Sequence, residues 1–143
     1  MKVLLVFGPN LAALGTREPE KYGSQTLPEL TGELVEKGSS LGHDVEWRQS
    51  DEEAEVIDWT ASATEKGFDA VIINPGALSH HSFGLRQAVE SAGVPVIEVH
   101  MTNIYAREEF RQHSVISAAC RGVIAGLGAR GYHYALEALE WIS

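Results

Sequence analysis

Apolar positions along the chain fall into two alternating patterns, short continuous runs and longer stretches of helical period. "KVLLVF" (2–7), "DVEWR" (44–48), "DAVIIN" (69–74), "PVIEVH" (95–100) and "RGVIAGL" (121–127) read as strands. Three of these runs are apolar enough to be buried on both faces, which places them in a parallel sheet. Between the first two, Leu27, Leu30, Leu34, Val35 and Leu41 keep helical spacing, with Thr26 and Glu29 set as a capping box and Gly42 as the stop. Ser50 and Glu53 repeat the box before a second helix, which carries Ala54, Ile57 and Ala61 on one face and meets Gly67. A third helix is expected from Ser82 to Ala92, ended by Gly93 and Pro95, and a fourth holds Tyr132, Ala135, Leu136, Leu139 and Ile142.

Five βα alternations predict a doubly wound α/β sandwich of flavodoxin-like size, with a strand order that pattern alone does not reveal. The 143 residues, 44% hydrophobic, fit a single domain spanning 1–143 around a sizeable core. A formal charge of -9, from 20 acidic and 11 basic residues, makes nucleic acid and anionic membranes poor partners. Cys120, the one cysteine, has no internal disulfide partner. The N-terminal apolar run is too short for a signal peptide and no run approaches the roughly 18 residues that span a bilayer, so the expected location is cytoplasmic.

In doubly wound sheets ligands sit beyond the carboxyl ends of the strands. Three segments there hold most of the unusual chemistry. The connection from Gly8 to Gln25 exceeds the about 12 to 15 residues at which structureless loops become uncommon, and reads as a lid or binding loop. It matches neither the P-loop nor the dinucleotide glycine motif, which weakens a nucleotide or flavin reading. "EVH" sets Glu98 and His100 on one face of a strand. A carboxylate beside imidazole fixes its tautomer and favours the imidazolium, a proton donor; a structural hydrogen bond or a metal pair are the competing readings, the latter without a convincingly spaced third ligand.

Further candidates follow strand 3 and strand 4. Asn74 either offers its amide to a ligand or caps the turn with Pro75 and Gly76, and adjacency turns His80 and His81 in different directions, so at most one faces a site. Ser79 and Ser82 lack a nucleophile elbow and read as helix caps, and Cys120 as a small core residue. Arg107 and Arg111 share a face if their segment is helical, and with Arg17 they suggest a held anion, against the alternative of surface pairing with Glu108 or Glu109. Arg17 also lies close in sequence to Tyr22. A phenol titrates near pH 10, and acting as a base at neutrality takes about 4 kcal/mol of stabilisation of its anion, which guanidinium groups can supply.

Taken together, "GPNLAALGTREPEKYG" (8–23), "INPGALSHHSFGLRQA" (73–88), "PVIEVHMTNIYAREEFR" (95–111) and "GLGARGYHYAL" (126–136) resemble type II 3-dehydroquinate dehydratase along about the whole chain. The resemblance implies a flavodoxin-like three-layer sandwich with a five-stranded parallel sheet. It also implies trimers assembled into a homododecamer, and anti elimination of water from 3-dehydroquinate through an enolate, without metal or other cofactor, in the shikimate or quinate pathway. Carried over by motif, Tyr22 is the base, Arg17 and Arg107 support its phenolate, and Asn10 holds a water against the enolate oxygen. The resemblance further implies that His100, oriented by Glu98, is the acid, that Asn74 with Met101 and Thr102 binds the substrate carboxylate, and that His80 and Arg111 meet the ring hydroxyls. The chain departs from the family pattern at Ala12, His81, Tyr105 and Gln87; at the last the family commonly has an aspartate reaching the neighbouring subunit's site. Two rival readings remain: a non-catalytic paralogue that binds a dehydroquinate-like ligand as a sensor, and a flavin-binding electron carrier.

Overall fold

The computed structural model describes residues 1–16 and 19–142, with the backbone alone for Lys21 and Tyr22. Strands β1 (Lys2–Phe7), β2 (Asp44–Gln49), β3 (Ala70–Asn74), β4 (Val96–His100) and β5 (Gly122–Ala125) form one sheet in the order β2-β1-β3-β4-β5. Every pairing is parallel. The helices are α1 (Pro19–Tyr22), α2 (Leu27–Ser40), α3 (Glu53–Ala61), α4 (Phe83–Ser91) and α5 (Arg130–Ile142). Three layers result, as the expected flavodoxin-like architecture requires.

Strand alternation explains the two cores. Val3, Leu5 and Phe7 of β1 with Ile72 of β3 face α2 and α5, where Leu30, Leu34, Tyr132 and Leu136 meet them. Leu4 and Val6 with Val71 and Ile73 face α3 and α4 against Val56, Leu85 and Val89. Both faces of β1, β3 and β4 are buried, which is why these strands are continuous apolar runs. Burying each such aliphatic side chain contributes roughly 1.5–3 kcal/mol. The Thr26–Glu29 capping box starts α2 as its sequence predicts, and Gly42 follows its end with a φ of 81°.

Other expectations need correction. Ser50 does not cap α3: its hydroxyl accepts from the Glu52 amide at 2.9 Å and donates to Glu55 at 2.7 Å, so Glu52 takes the cap position without a side-chain bond. The helix therefore turns Val56 and Thr60 inward, while Ala54 and Ala61 are exposed. Val35 lies on the outer side of α2 at 38% exposure. The segment after β4 is not an α-helix but two 3₁₀ turns, Ile104–Ala106 and Glu109–Arg111, followed by a third at Ser117–Ala119. The long first connection is built too, from a 3₁₀ turn at Leu11–Ala13 and α1. Trp141 is 84% exposed, whereas Trp47 meets Phe7 edge-on at 6.5 Å.

The strand order reverses at β1 and β3, whose carboxyl ends therefore open a crevice between diverging connections. The two connections touch at the crevice: the Gly8 amide donates to the Asn74 carbonyl at 2.8 Å, and a Cβ on Gly8 would stand 2.5 Å from the Pro75 oxygen. Gly8→Ala is expected to part these loops and to cost about 1–3 kcal/mol, as overpacking does. Urea unfolding measures it; an unchanged midpoint would show that the contact is slack.

Candidate active site

A cavity of about 150 Å³ opens at this crevice. Asn10 enters it from the end of β1, Asn74 and His80 from β3, and His100, Met101 and Thr102 from β4. Leu11, Leu14 and Ile104 give it apolar walls. Arg107 and Arg111 close one side although their segment is not helical, because the successive 3₁₀ turns bring both back over the strand ends. Two guanidinium groups in a recess of a chain with net charge -9 make a local field suited to an anion. Arg111 also pairs with Glu108 at 3.1 Å and lies over the Phe110 ring at 5.0 Å, so surface pairing and cavity lining coexist.

His100 is 7% exposed and bonds through Nε2 to Oε2 of Glu98, which is fully buried behind it. A carboxylate only accepts, so the shared nitrogen carries the proton and Nδ1 is the one left for the cavity. Glu98 receives two more hydrogen bonds: Ser114 donates to Oε2 at 2.8 Å and Ser117 to Oε1 at 2.5 Å. Burial pushes the Glu98 carboxyl up, but the bonds from His100, Ser117 and Ser114 outweigh it and hold the group below its ordinary value of 4.5. The nearby Cys120 thiol is pushed up to about 12 by burial and by the Glu98 charge. It is half-buried against the α3 and α4 core, as a small apolar side chain would be.

Asn74 does both things expected of it as alternatives. Its Oδ1 accepts from the Gly76 amide at 3.1 Å, capping the turn, and its Nδ2 donates to the Tyr132 hydroxyl at 2.8 Å while the residue lines the cavity. Burial drives the Tyr132 phenol well above its ordinary value, so it stays neutral and fixes the amide's orientation. His80 donates from Nδ1 to the His113 carbonyl at 2.8 Å, since a carbonyl cannot donate, and its Nε2 is then the basic nitrogen. His81 is exposed and outside the cavity.

The structure thus gathers Asn10, Asn74, His80, His100, Met101, Thr102, Arg107 and Arg111 around one cavity, with Glu98 directly behind His100. Gln87 is not brought in: it is exposed on α4 and does not line the cavity. Arg17 and the Tyr22 side chain lie outside the described residues. Sequence reasoning missed Ser114, Ser117, the Tyr132 hydroxyl and the His113 carbonyl. Ser114 lies in irregular chain and Ser117 opens a short 3₁₀ turn, 16 and 19 residues after Glu98, where no local spacing signals the contact.

A buried histidine–carboxylate pair facing a cationic recess at the strand ends has the chemistry to move a proton on an anionic ligand. The family model described as Dehydroquinase class II matches residues 1–140, and the chain belongs to that family. It is 49% identical over 137 residues to the 3-dehydroquinate dehydratase of Deinococcus radiodurans, covering 96% of each chain. It is 48% identical over 134 residues to the 3-dehydroquinate dehydratase of Thermus thermophilus, covering 94% of this chain and 90% of that one. The crystal structure of type II dehydroquinase from Propionibacterium acnes superposes with a TM-score of 0.93 at 47% identity, over 96% of this chain and 94% of the other.

Two measurements probe this geometry. Asn10 is the one described non-glycine residue in the left-handed region, with φ 72°, and its amide donates to Asp51 at 2.9 Å. Asn10→Ala is expected to lose about 1 kcal/mol in urea unfolding, because asparagine tolerates that conformation better than alanine, whereas Asn10→Gly should lose none. The reverse order would contradict a backbone-driven choice of residue. The second concerns Glu98. Its native value lies below 4.5, so its contribution to stability is complete above pH 4.5 and fades as pH falls through the native value. The gap in melting temperature between wild type and Glu98→Gln should be steady at higher pH and shrink below 4.5. A gap that stays constant into strong acid would contradict an ionised Glu98.

Proposed function

We propose that this chain is a 3-dehydroquinate dehydratase that removes water from 3-dehydroquinate to give 3-dehydroshikimate. The observation that carries the reading is the His100–Glu98 pair at the floor of a recess that also holds Arg107 and Arg111, in a chain of the class II dehydroquinase family. Tyr22, its anion supported by Arg17 and Arg107, takes the proton next to the ketone. The electron pair of that C–H bond moves onto the ketone oxygen as an enolate, and a water held by Asn10 donates to the growing charge. The enolate then re-forms the carbonyl, the ring double bond forms, and the C–O bond breaks as the hydroxyl leaves as water with the Nδ1 proton of His100, which enters the step as the imidazolium with its Nε2–H held by Glu98. The ketone is its own electron sink, so the elimination calls for no metal or other cofactor.

In this reading Asn74, Met101 and Thr102 hold the substrate carboxylate, and His80 and Arg111 meet the ring hydroxyls. Pre-organisation supports these roles: Asn74 and His80 are each fixed by a second partner, Tyr132 and the His113 carbonyl. We assign the working form to a homododecamer of trimers, in which exposed Gln87 on α4 is free to reach a neighbouring subunit's cavity. The setting is cytoplasmic, in the shikimate or quinate pathway. Among the described residues no helix is long and apolar enough to cross a membrane.

The test follows absorbance of the conjugated enone. Tyr22→Phe should lower turnover by about 10²- to 10⁴-fold, the range of general acid–base catalysis, while largely sparing ligand binding. His100→Ala should lose overall turnover to a similar extent yet still exchange the α-proton, because enolate formation precedes hydroxyl departure. Near wild-type turnover in the first variant would remove Tyr22 as base. Binding of dehydroquinate by wild type with no enone would favour the sensor reading.

A further inference from the structure

We infer that Ser114 and Ser117 are positioning residues for the acid–base pair, holding Glu98 as an oriented anion so that His100 keeps Nδ1 toward the cavity. The inference deepens the dehydratase reading and rests on it for its kinetic consequence.

Glu98 lies on β4, between β3 and β5, with no exposure to solvent. An ion there is tolerated only if its oxygens are satisfied by good hydrogen bonds. The three donors found divide the work: Ser117 holds Oε1, while Ser114 and His100 share Oε2. A hydroxyl has one proton to give. Both serines spend theirs on the carboxylate, so the carboxylate's lone pairs, not a proton, must face them. The Ser117 contact, at 2.5 Å, has the length of a charge-assisted O–H···O⁻ bond. With Oε1 held by Ser117, the carboxylate plane is set, and Oε2 is aimed at Nε2 of His100.

The serines are themselves held. They flank Ile116, which is fully buried, and the Val115 amide between them donates to the Ser79 carbonyl at 2.6 Å. Just upstream, the His113 carbonyl accepts from His80. One short segment, 113–117, therefore fixes Glu98 with its serines and His80 with its backbone.

The test uses the full chain with Ser114→Ala, Ser117→Ala, the double variant and Ser117→Thr, in wild-type and Glu98→Gln backgrounds. Partners that orient metal-ligating side chains are worth about 10- to 100-fold in activity, and the serines, which orient Glu98 in the same way, are expected to act on that scale. We expect kcat to fall about tenfold in each single variant and about a hundredfold in the double, with KM within about twofold, and Ser117→Thr to stay close to wild type. In the Glu98→Gln background the same alanine substitutions should cost less than about twofold more, since the anion they serve is gone. Histidine ¹⁵N NMR reads the same effect without turnover: Nε2 of His100 stays protonated whatever the charge of the ring in wild type, and the neutral ring divides between tautomers in the alanine variants. The singles carry the expectation if the double variant does not fold. An unaltered kcat with an unaltered tautomer, or a full loss persisting in the Glu98→Gln background, overturns the inference. Absence of enone formation by wild type, with the tautomer change present, overturns the dehydratase reading alone.

Discussion

A carboxylate with no contact to solvent, on an inner strand of a parallel sheet, is the constraint around which the rest of this molecule is arranged. Its neighbours in the strand, Ile97 and Val99, face the opposite core, where a charge would have no partner. On its own side it is satisfied by one imidazole and two hydroxyls. Such a group is costly to bury and stabilises the fold only while all three partners stay in place. The stretch of chain between β4 and β5 supplies two of the three, which accounts for its path: successive 3₁₀ turns pressed against the strand ends instead of an α-helix running along the sheet.

The same path completes the cavity. Leaving β4 at His100, the chain lays Met101 and Thr102 across the mouth, brings Arg107 and Arg111 over it, and returns through Ser114 and Ser117 to Glu98. From the other side, the tight approach of the Gly8 and Pro75 connections places Asn10 and Asn74 on a common rim. A switch point in strand order thus becomes a recess where an imidazole, two side-chain amides and two guanidinium groups converge. For an elimination that needs a proton removed from carbon and another given to oxygen, fixed groups on a rigid sheet can supply the second step. The first is assigned to Tyr22, on the connection that begins at the same crevice.

Much of the fold was legible in the sequence because burial on both faces leaves a plain signature: β1, β3 and β4 are uninterrupted apolar runs, and the Thr26–Glu29 box marks α2. The errors have physical causes. Ser50 and Glu53 match a capping box in spacing, but the hydroxyl is taken by Glu52 and Glu55. Thr60 is polar by type, yet it is buried because its hydroxyl donates to the Val56 carbonyl at 2.9 Å, and this hid the inner face of α3. Within the site, the two-residue spacing of Glu98 and His100 on a strand already required a shared face, and the structure has it. Ser114 and Ser117 left no such trace, since their contact depends on the tertiary placement of the connection between β4 and β5. The grouping of Arg107 and Arg111 was anticipated on the wrong ground, a helix that is not there.

The central claim is a statement about where protons reside, and neutron diffraction from deuterated crystals near neutral pH tests it most directly. The account predicts deuterium on Nε2 of His100 and on both serine hydroxyls, all directed at Glu98, and none on the Glu98 carboxyl. A deuteron bonded to either Glu98 oxygen, with Nε2 of His100 bare, would contradict it.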